Sequence, residues 1–254
     1  MAELRLEVSG YIAVITLDNP PLNLWNVEWD EQLEDMFDSF DTRDDVRVAV
    51  ITGAGERAFT AGADHRYTGP PPRRRAVRNY LQALIDCSVP VIGAINGHAL
   101  GHGLAIASQC DFLIGSENAR FGLPEIRTGG ANGGRFFMRL FPVGFARYAV
   151  YTGESIDAHE AYRLGALLKL TTPAELMPEA MRIAAVIAGQ APLAVRAFKD
   201  SLRWVEDMDV QRGYEFENEL HRKLYSGTPA GQAQRQEALN SFFEKRKADF
   251  SGLG

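Results

Sequence analysis

The stretch Val89-Pro90-Val91-Ile92-Gly93-Ala94-Ile95-Asn96-Gly97-His98-Ala99-Leu100-Gly101-His102-Gly103 contains the turn that decides the fold. Its first seven residues form a short apolar run rich in β-branched side chains, which predicts a strand with Pro90 near its start. The small residues from Asn96 to Gly103 predict a turn from that strand into a helix. Amides at a helix amino terminus lack intrahelical partners and lie at the positive end of the helix dipole, so they favour an oxyanion.

Strands and helices alternate on both sides of this turn. Further apolar runs predict strands at residues 11–17, 46–52 and 111–115, and Asp18-Asn19-Pro20-Pro21 predicts a turn after the first. Spacings of three and four predict a helix over residues 29–40, with an apolar stripe formed by Trp29, Leu33, Met36, Phe37 and Phe40. The alternation favours an α/β fold.

The pattern becomes mostly helical after about residue 135. Asp157-Ala158-His159-Glu160 resembles a capping box that opens a helix through Leu164. We predict an α/β core over residues 1–195 and a helical C-terminal region over residues 196–254.

Composition restricts the classes of partner. The chain has 254 residues, of which 46% are hydrophobic and 24% charged, with a formal net charge of -6. The acidic balance argues against a general affinity for nucleic acid or an anionic membrane. Two cysteines, Cys87 and Cys110, are typical of free thiols in a reduced compartment. Without an apolar signal core or a long apolar run, we expect a cytoplasmic protein, and no histidine or cysteine spacing predicts a metal site.

Two small-residue loops and one carboxylate are candidates for chemistry. Ala58 to Asp64 follows a predicted strand, and Asn96 to Gly103 precedes a predicted helix. Small side chains let main-chain amides approach a ligand closely, so the two loops could share one carbonyl oxygen. On the residues alone, two glycine-rich turns that share no ligand are the simpler interpretation. Glu125, within Phe121 to Ile126, supplies a carboxylate suited to proton transfer.

Several of these motifs together resemble the crotonase, or enoyl-CoA hydratase/isomerase, superfamily. The resemblance runs from about Leu4 to Phe250 in the order of the family. The residues that carry it are Ala58 to Asp64, Val89 to Gly97, Cys110-Asp111, Phe121 to Ile126, Thr152-Gly153 with Ala158, Ala161 and Gly165, and the closing Ser241 to Phe250.

This resemblance implies a spiral of ββα repeats with a C-terminal helical trimerisation region, assembled as trimers or dimers of trimers. It implies an acyl-CoA thioester substrate, with coenzyme A as part of the substrate and no separate cofactor. The amides of Ala63 and His102 would form the oxyanion hole, and Ala61 and Asp64 would adjoin the substrate. Basic contacts to coenzyme A are expected from Arg66, and from Lys245 or Lys247.

At the catalytic carboxylates this sequence differs from the hydratases of the family that it resembles. Hydratases of the family use two glutamates; Glu125 matches the second, whereas Ala105 occupies the position of the first. A methyl group transfers no proton. Some isomerases of the family use only the glutamate at the position of Glu125, because one base can remove a proton and return it to another carbon. The resemblance therefore implies a single-base, isomerase-like reaction.

Other residues leave the reaction open. His102 stands where glycine is common, and its imidazole could donate to an oxyanion or act as acid or base; a structural role is an equal alternative. Gly133, Arg135 and Phe136 replace a loop of the hydratases and are expected to reshape or cover the acyl pocket. Trp25 is either a pocket wall or a substrate contact.

Trp25 and His102 together also resemble, in part, the 6-oxocamphor hydrolases, which cleave a carbon-carbon bond of cyclic β-diketones without CoA. Glu125 and Gly134 replace the histidine and aspartate of that water-activating dyad. Three hypotheses follow: an acyl-CoA hydratase/isomerase, a CoA-independent β-diketone hydrolase with His102 in a chemical role, and a non-catalytic acyl-CoA-binding protein.

Overall fold

A computed structural model describes residues 2–64 and 79–253 as two sheets surrounded by helices. Arg66, predicted to contact substrate, lies outside these residues. The strands are β1 (Glu3–Ser9), β2 (Ile12–Asp18), β3 (Val48–Gly53), β4 (Ala58–Thr60), β5 (Val91–Ile95), β6 (His98–Leu100), β7 (Phe112–Ser116), β8 (Arg120–Gly122), β9 (Ile156–Asp157) and β10 (Lys169–Thr171). The helices are α1 (Trp29–Ser39), α2 (Tyr80–Asp86), α3 (His102–Gln109), α4 (Gly134–Leu140), α5 (Val143–Thr152), α6 (Ala158–Arg163), α7 (Pro173–Ala188), α8 (Pro192–Val205), α9 (Val210–Gly227) and α10 (Pro229–Glu244), with a 3₁₀ helix at Pro124–Thr128.

The chain alternates between the two sheets. The larger sheet has the order β1-β2-β3-β5-β7-β10 and the smaller has the order β4-β6-β8-β9. From β3 onward, a strand of the larger sheet is followed by a strand of the smaller sheet and then a helix, as in β3-β4-α2 and β5-β6-α3. The strands within these units pair in parallel with the next unit, β3 with β5 and β4 with β6. The predicted α/β fold built from ββα repeats is confirmed.

The larger sheet is buried on both faces, which explains its uninterrupted apolar runs. In β3, Ala49 and Ile51 face the main core, whereas Val48 and Val50 face a second cluster against α7. Alternate residues of a strand point to opposite faces, so a strand covered on both sides needs apolar residues throughout. Helix α7 supplies a matching stripe of small and apolar residues: Leu176, Ala180, Ala184 and Ala188.

The predicted elements agree closely with the observed ones. All four predicted strands are present, and α1 buries Trp29, Leu33 and Phe37 on one face. At the start of α6, Asp157 accepts a hydrogen bond from the Glu160 amide at 2.9 Å. The predicted capping box is only half formed, because the Glu160 side chain binds Arg163 in place of the Asp157 amide. Both cysteines are free and buried.

Two basic residues attach the C-terminal helices to the core. Arg196 of α8 donates to the carbonyl oxygens of Phe40 and Arg43, each at 3.1 Å. Lys199, one turn later, forms an ion pair of 2.8 Å with Asp111, whose carboxylate also accepts from the Val91 amide. The predicted domain boundary after residue 195 falls inside α8 and remains a prediction.

Within residues 2–64 and 79–253, no single helix has the length and apolarity to cross a membrane. The pair α7 and α8 meets that criterion only when taken together, and the two are bent by 107°.

Candidate active site

Close approach of two main-chain segments forms the base of the site. The first segment follows β4, where the Trp25 amide donates to the Gly62 carbonyl at 2.8 Å and Trp25 forms a bridge with Ala63. The second segment leads from β6 into α3. A Cβ on Gly62, which has a φ of +92°, would lie 3.1 Å from the Leu100 carbonyl oxygen. Glycine at this position therefore permits the two loops to touch.

Each loop carries a main-chain amide without an acceptor in its own element. In the bridge the Trp25 amide donates to Gly62, so the Ala63 amide points away from Trp25, and no described residue accepts a hydrogen bond from it. His102 is the first residue of α3, so its amide has no intrahelical acceptor. Ala63 and His102 both line the same cavity.

Glu125 lies directly beside this second loop. The chain leaves β8 and enters the 3₁₀ helix, where the Glu125 carbonyl accepts from the Gly130 amide at 2.8 Å. A Cβ on Gly101 would lie only 2.5 Å from Glu125 Oε1, so the carboxylate is packed against the start of α3. Glu125 Oε2 is buried without a hydrogen-bond partner among the described residues. An unpartnered buried carboxylate oxygen is costly, and such groups occur where a function requires them.

Ala105, which stands where the resembling hydratases have their first glutamate, makes this part of the site apolar. Ala105 lies on α3, and its amide donates to the Gly101 carbonyl at 3.0 Å. The residue is 5% exposed and packs into the protein. At this point of the site the chain therefore offers no proton-transfer group.

The His102 imidazole stacks with two aromatic side chains, Trp25 and Tyr80. Trp25 lies nearly parallel to the imidazole, with ring centroids 4.8 Å apart and an interplanar angle of 9°. The Trp25 indole also donates to Asp30 at 2.9 Å, which fixes its position. Tyr80 Oη lies 2.6 Å from His102 Nδ1. Burial lowers the pKa of His102 to about 4, so the imidazole is neutral at physiological pH.

These elements open onto one cavity of about 640 Å³, a volume suited to a small-molecule ligand. Of the predicted site residues, it brings together Ala61, Ala63, Asp64, His102 and Glu125. The other lining residues are Leu22, Leu24, Gly62, Pro124, Arg127, Thr128 and Asn132.

Four predicted substrate contacts do not line this cavity. Gly133 adopts a φ of +84° and caps α4, and its Cα region packs against the Leu123 side chain. Arg135 and Phe136 continue into α4, so only Asn132 of that loop reaches the cavity. Trp25 also does not line the cavity, and it contributes by stacking on His102.

Sequence reasoning missed Tyr80. It is the first residue of α2 and is 6% exposed. A single tyrosine at a helix start has no motif around it, and its contact with His102 is formed between residues 22 positions apart. Only the packing of α2 against α3 brings the two side chains together.

Comparisons with known proteins identify a family and several relatives. Residues 7–253 match the sequence profile of a family described as enoyl-CoA hydratase/isomerase. The chain is 36% identical to the (E)-benzylidenesuccinyl-CoA hydratase of Thauera aromatica, over 97% of this chain and 98% of the relative. It is 34% identical to the short-chain-enoyl-CoA hydratase of Clostridium acetobutylicum, over 96% and 95% of the two chains.

A solved structure gives the same result for the fold. The crystal structure of enoyl-CoA hydratase from Bacillus anthracis superposes with a TM-score of 0.85 at 30% identity, covering 98% of this chain and 99% of that one.

Proposed function

The chain belongs to the enoyl-CoA hydratase/isomerase family, and from this premise we propose that it converts an acyl-CoA thioester through an enolate, with Glu125 as the single acid/base. The names of the relatives support an enzyme of this family that acts on acyl-CoA. The single-base mechanism rests on the environment of Glu125.

The observation that carries the proposal is the Glu125 carboxylate, whose Oε1 lies beside the amino terminus of α3 and whose Oε2 is buried without a partner among the described residues. A general base must have a free lone pair within reach of the proton that it removes. In Glu125 that lone pair is buried, next to the loop that carries the His102 amide. An α-proton removed there would leave its charge on the thioester oxygen.

The amides of Ala63 and His102 would stabilise that charge. A thioester α-proton is too weakly acidic to remove unless preorganised donors meet the developing oxyanion, and loss of one donor costs roughly 3 kcal/mol. Both amides belong to main chain that is fixed by neighbouring elements, so they need little reorganisation during the reaction. In this proposal coenzyme A enters as part of the substrate, and Ala61 and Asp64 line the cavity beside it.

Ala105 favours isomerisation over hydration. Adding water across a double bond requires a group that activates the water as well as one that delivers a proton to the α-carbon. Isomerisation requires one base that removes a proton and returns it elsewhere. Although the two relatives are hydratases by name, this chain offers one carboxylate at the two family positions.

The aromatic stack supports one second candidate, a CoA-independent hydrolase of β-diketones. Trp25 and His102 are the residues that resemble such enzymes, and they are in direct contact. A neutral imidazole can donate to a ketone oxygen.

A substrate assay tests the two candidates. The protein is incubated with trans-3-hexenoyl-CoA, with trans-2-hexenoyl-CoA and with a cyclic 1,3-diketone, and the products are separated by liquid chromatography, which resolves the two isomers, and identified by mass. We expect the two enoyl-CoA isomers to interconvert without a change of mass. Hydrated product as the main species would overturn the single-base proposal, and turnover of the diketone alone would favour the second candidate. Binding of the CoA esters without turnover would indicate a non-catalytic acyl-CoA-binding protein.

We also propose a homotrimer or a dimer of trimers in the cytoplasm. Large apolar residues are more than half exposed on the C-terminal helices, which is unusual for a surface in contact with water only: Phe198, Leu202, Trp204, Val210, Tyr214, Phe242 and Phe243. The free buried thiols fit a reducing compartment. Light scattering on the purified protein should give a mass of three or six chains, and a monomer at micromolar concentration would contradict the assembly.

A further inference from the structure

His102 has two ring nitrogens with different surroundings, and one of them is occupied. Nδ1 lies 2.6 Å from Tyr80 Oη. Nε2 has no hydrogen-bond partner within residues 2–64 and 79–253, and it is not among the buried unpartnered atoms. His102 lines the cavity that Glu125 also lines, and Nε2 is the ring nitrogen that the contact with Tyr80 leaves free among the described residues.

The contact with Tyr80 selects one tautomer. Burial raises the pKa of the Tyr80 phenol, so the hydroxyl keeps its proton. That proton needs an acceptor, because Tyr80 is 6% exposed and Oη has no other partner among the described residues. If Nδ1–H donated to Oη, the phenol proton would have no hydrogen-bond acceptor among the described residues. Nδ1 is therefore the acceptor, and in a neutral imidazole the proton is then on Nε2.

Trp25 fixes the orientation of the His102 imidazole. Trp25 covers one face of the imidazole at 4.8 Å, and the bond from its indole to Asp30 holds it there. With Nδ1 and one face occupied, the Cε1–Nε2 edge is what His102 can present to a ligand.

We propose that Tyr80 is a positioning residue that holds His102 as the Nε2–H tautomer, so that this side chain donates a hydrogen bond to an oxygen of the bound acyl group. This inference rests on the proposed function for the identity of the acyl group. It gives His102 two donors toward the substrate, the main-chain amide and the ring N–H, and it removes the ring from the acid/base chemistry that Glu125 performs.

Nitrogen NMR of the imidazoles tests the tautomer without any turnover. Long-range proton-nitrogen correlation distinguishes a protonated from an unprotonated ring nitrogen, and the His102 signals are those missing from the His102→Asn variant. At pH 7 we expect a protonated Nε2 and an unprotonated Nδ1. Addition of butyryl-CoA should shift the Nε2 proton downfield. A protonated Nδ1 would overturn the inference, and so would an Nε2 proton that is unchanged in saturating butyryl-CoA.

Kinetics of Tyr80→Phe separates positioning from a merely structural role. Removing the hydroxyl frees Nδ1 and should give a tautomer mixture, while the His102 amide is unchanged. Loss of one such hydrogen bond to the transition state lowers kcat by about tenfold, with KM changed less than about twofold. Tyr148→Phe is the matched control, because it removes a 2.6 Å bond from a hydroxyl to exposed Glu154.

The two proposals fail separately. A wild-type protein with the expected tautomer but no turnover of either hexenoyl-CoA contradicts the proposed function alone. Normal turnover together with a protonated Nδ1, or with unchanged kcat in Tyr80→Phe, contradicts this inference alone.

Discussion

Glu125→Gln should lower kcat by about 10² to 10⁴-fold, the usual contribution of a general acid/base. Glutamine keeps the shape of the side chain but has no basic oxygen at pH 7. Since Oε2 has no partner to lose among the described residues, the substitution should not lower the free energy of unfolding. Binding of butyryl-CoA, measured by calorimetry, should be retained. The assay is interconversion of the two hexenoyl-CoA isomers.

Glu7→Gln is the control for the loss of one negative charge. Glu7 is exposed on β1, at the edge of the larger sheet, and its substitution should leave kcat unchanged. Equal turnover in Glu125→Gln and wild type would remove Glu125 from the mechanism. Joint loss of turnover and of butyryl-CoA binding would assign Glu125 to binding and not to proton transfer.

Gly101→Ala should lower kcat/KM by about 10²-fold, the cost of a displacement of roughly 1 Å at a reacting group. The new Cβ would lie 2.5 Å from Glu125 Oε1, so the carboxylate has to move away from the start of α3. With a φ of +54° and a ψ of -110°, Gly101 lies outside the left-handed helical region, and alanine in such a sparsely populated conformation strains the folded state by about 1 to 3 kcal/mol. Steady-state kinetics and urea unfolding measure the two effects independently.

Gly10→Ala separates the steric effect from the backbone strain. Gly10 has a φ of +58°, but a Cβ there has no atom within 4 Å. Gly10→Ala should therefore lose stability through backbone strain and keep its activity, while Gly101→Ala should lose both stability and activity. If both variants kept wild-type kcat/KM, the contact between Gly101 and Glu125 would have no part in positioning the base.

Much of the fold follows from local patterns in the sequence. The β-branched runs and the stripe in α1 are long enough for their periodicity to be read, and each became the expected element. The strands β4, β6 and β8 have three residues each, which is too short for any periodicity. They form because the strands of the larger sheet place them side by side, which is information that local sequence does not contain.

The residues of the site also differ in whether local sequence predicts them. Glu125 and the two small-residue loops could be predicted because their function depends on local chain geometry and on a motif. Tyr80 could not, since its role arises from a contact with α3. The αL glycine Gly133 caps α4 and directs the following residues into a helix, which the local sequence did not indicate. The domain boundary and the roles of the individual site residues remain predictions.

The glycine contacts at the base of the cavity have a consequence for protein engineering. Gly62 and Gly101 are in van der Waals range of opposing main chain, and the base is packed against one of them. Random libraries that include these two positions will mostly sample inactive proteins. Leu22, Leu24 and Asn132 line the same cavity and carry side chains, so they are not restricted to glycine. Substrate range can therefore be diversified at these three positions while Gly62 and Gly101 are kept invariant.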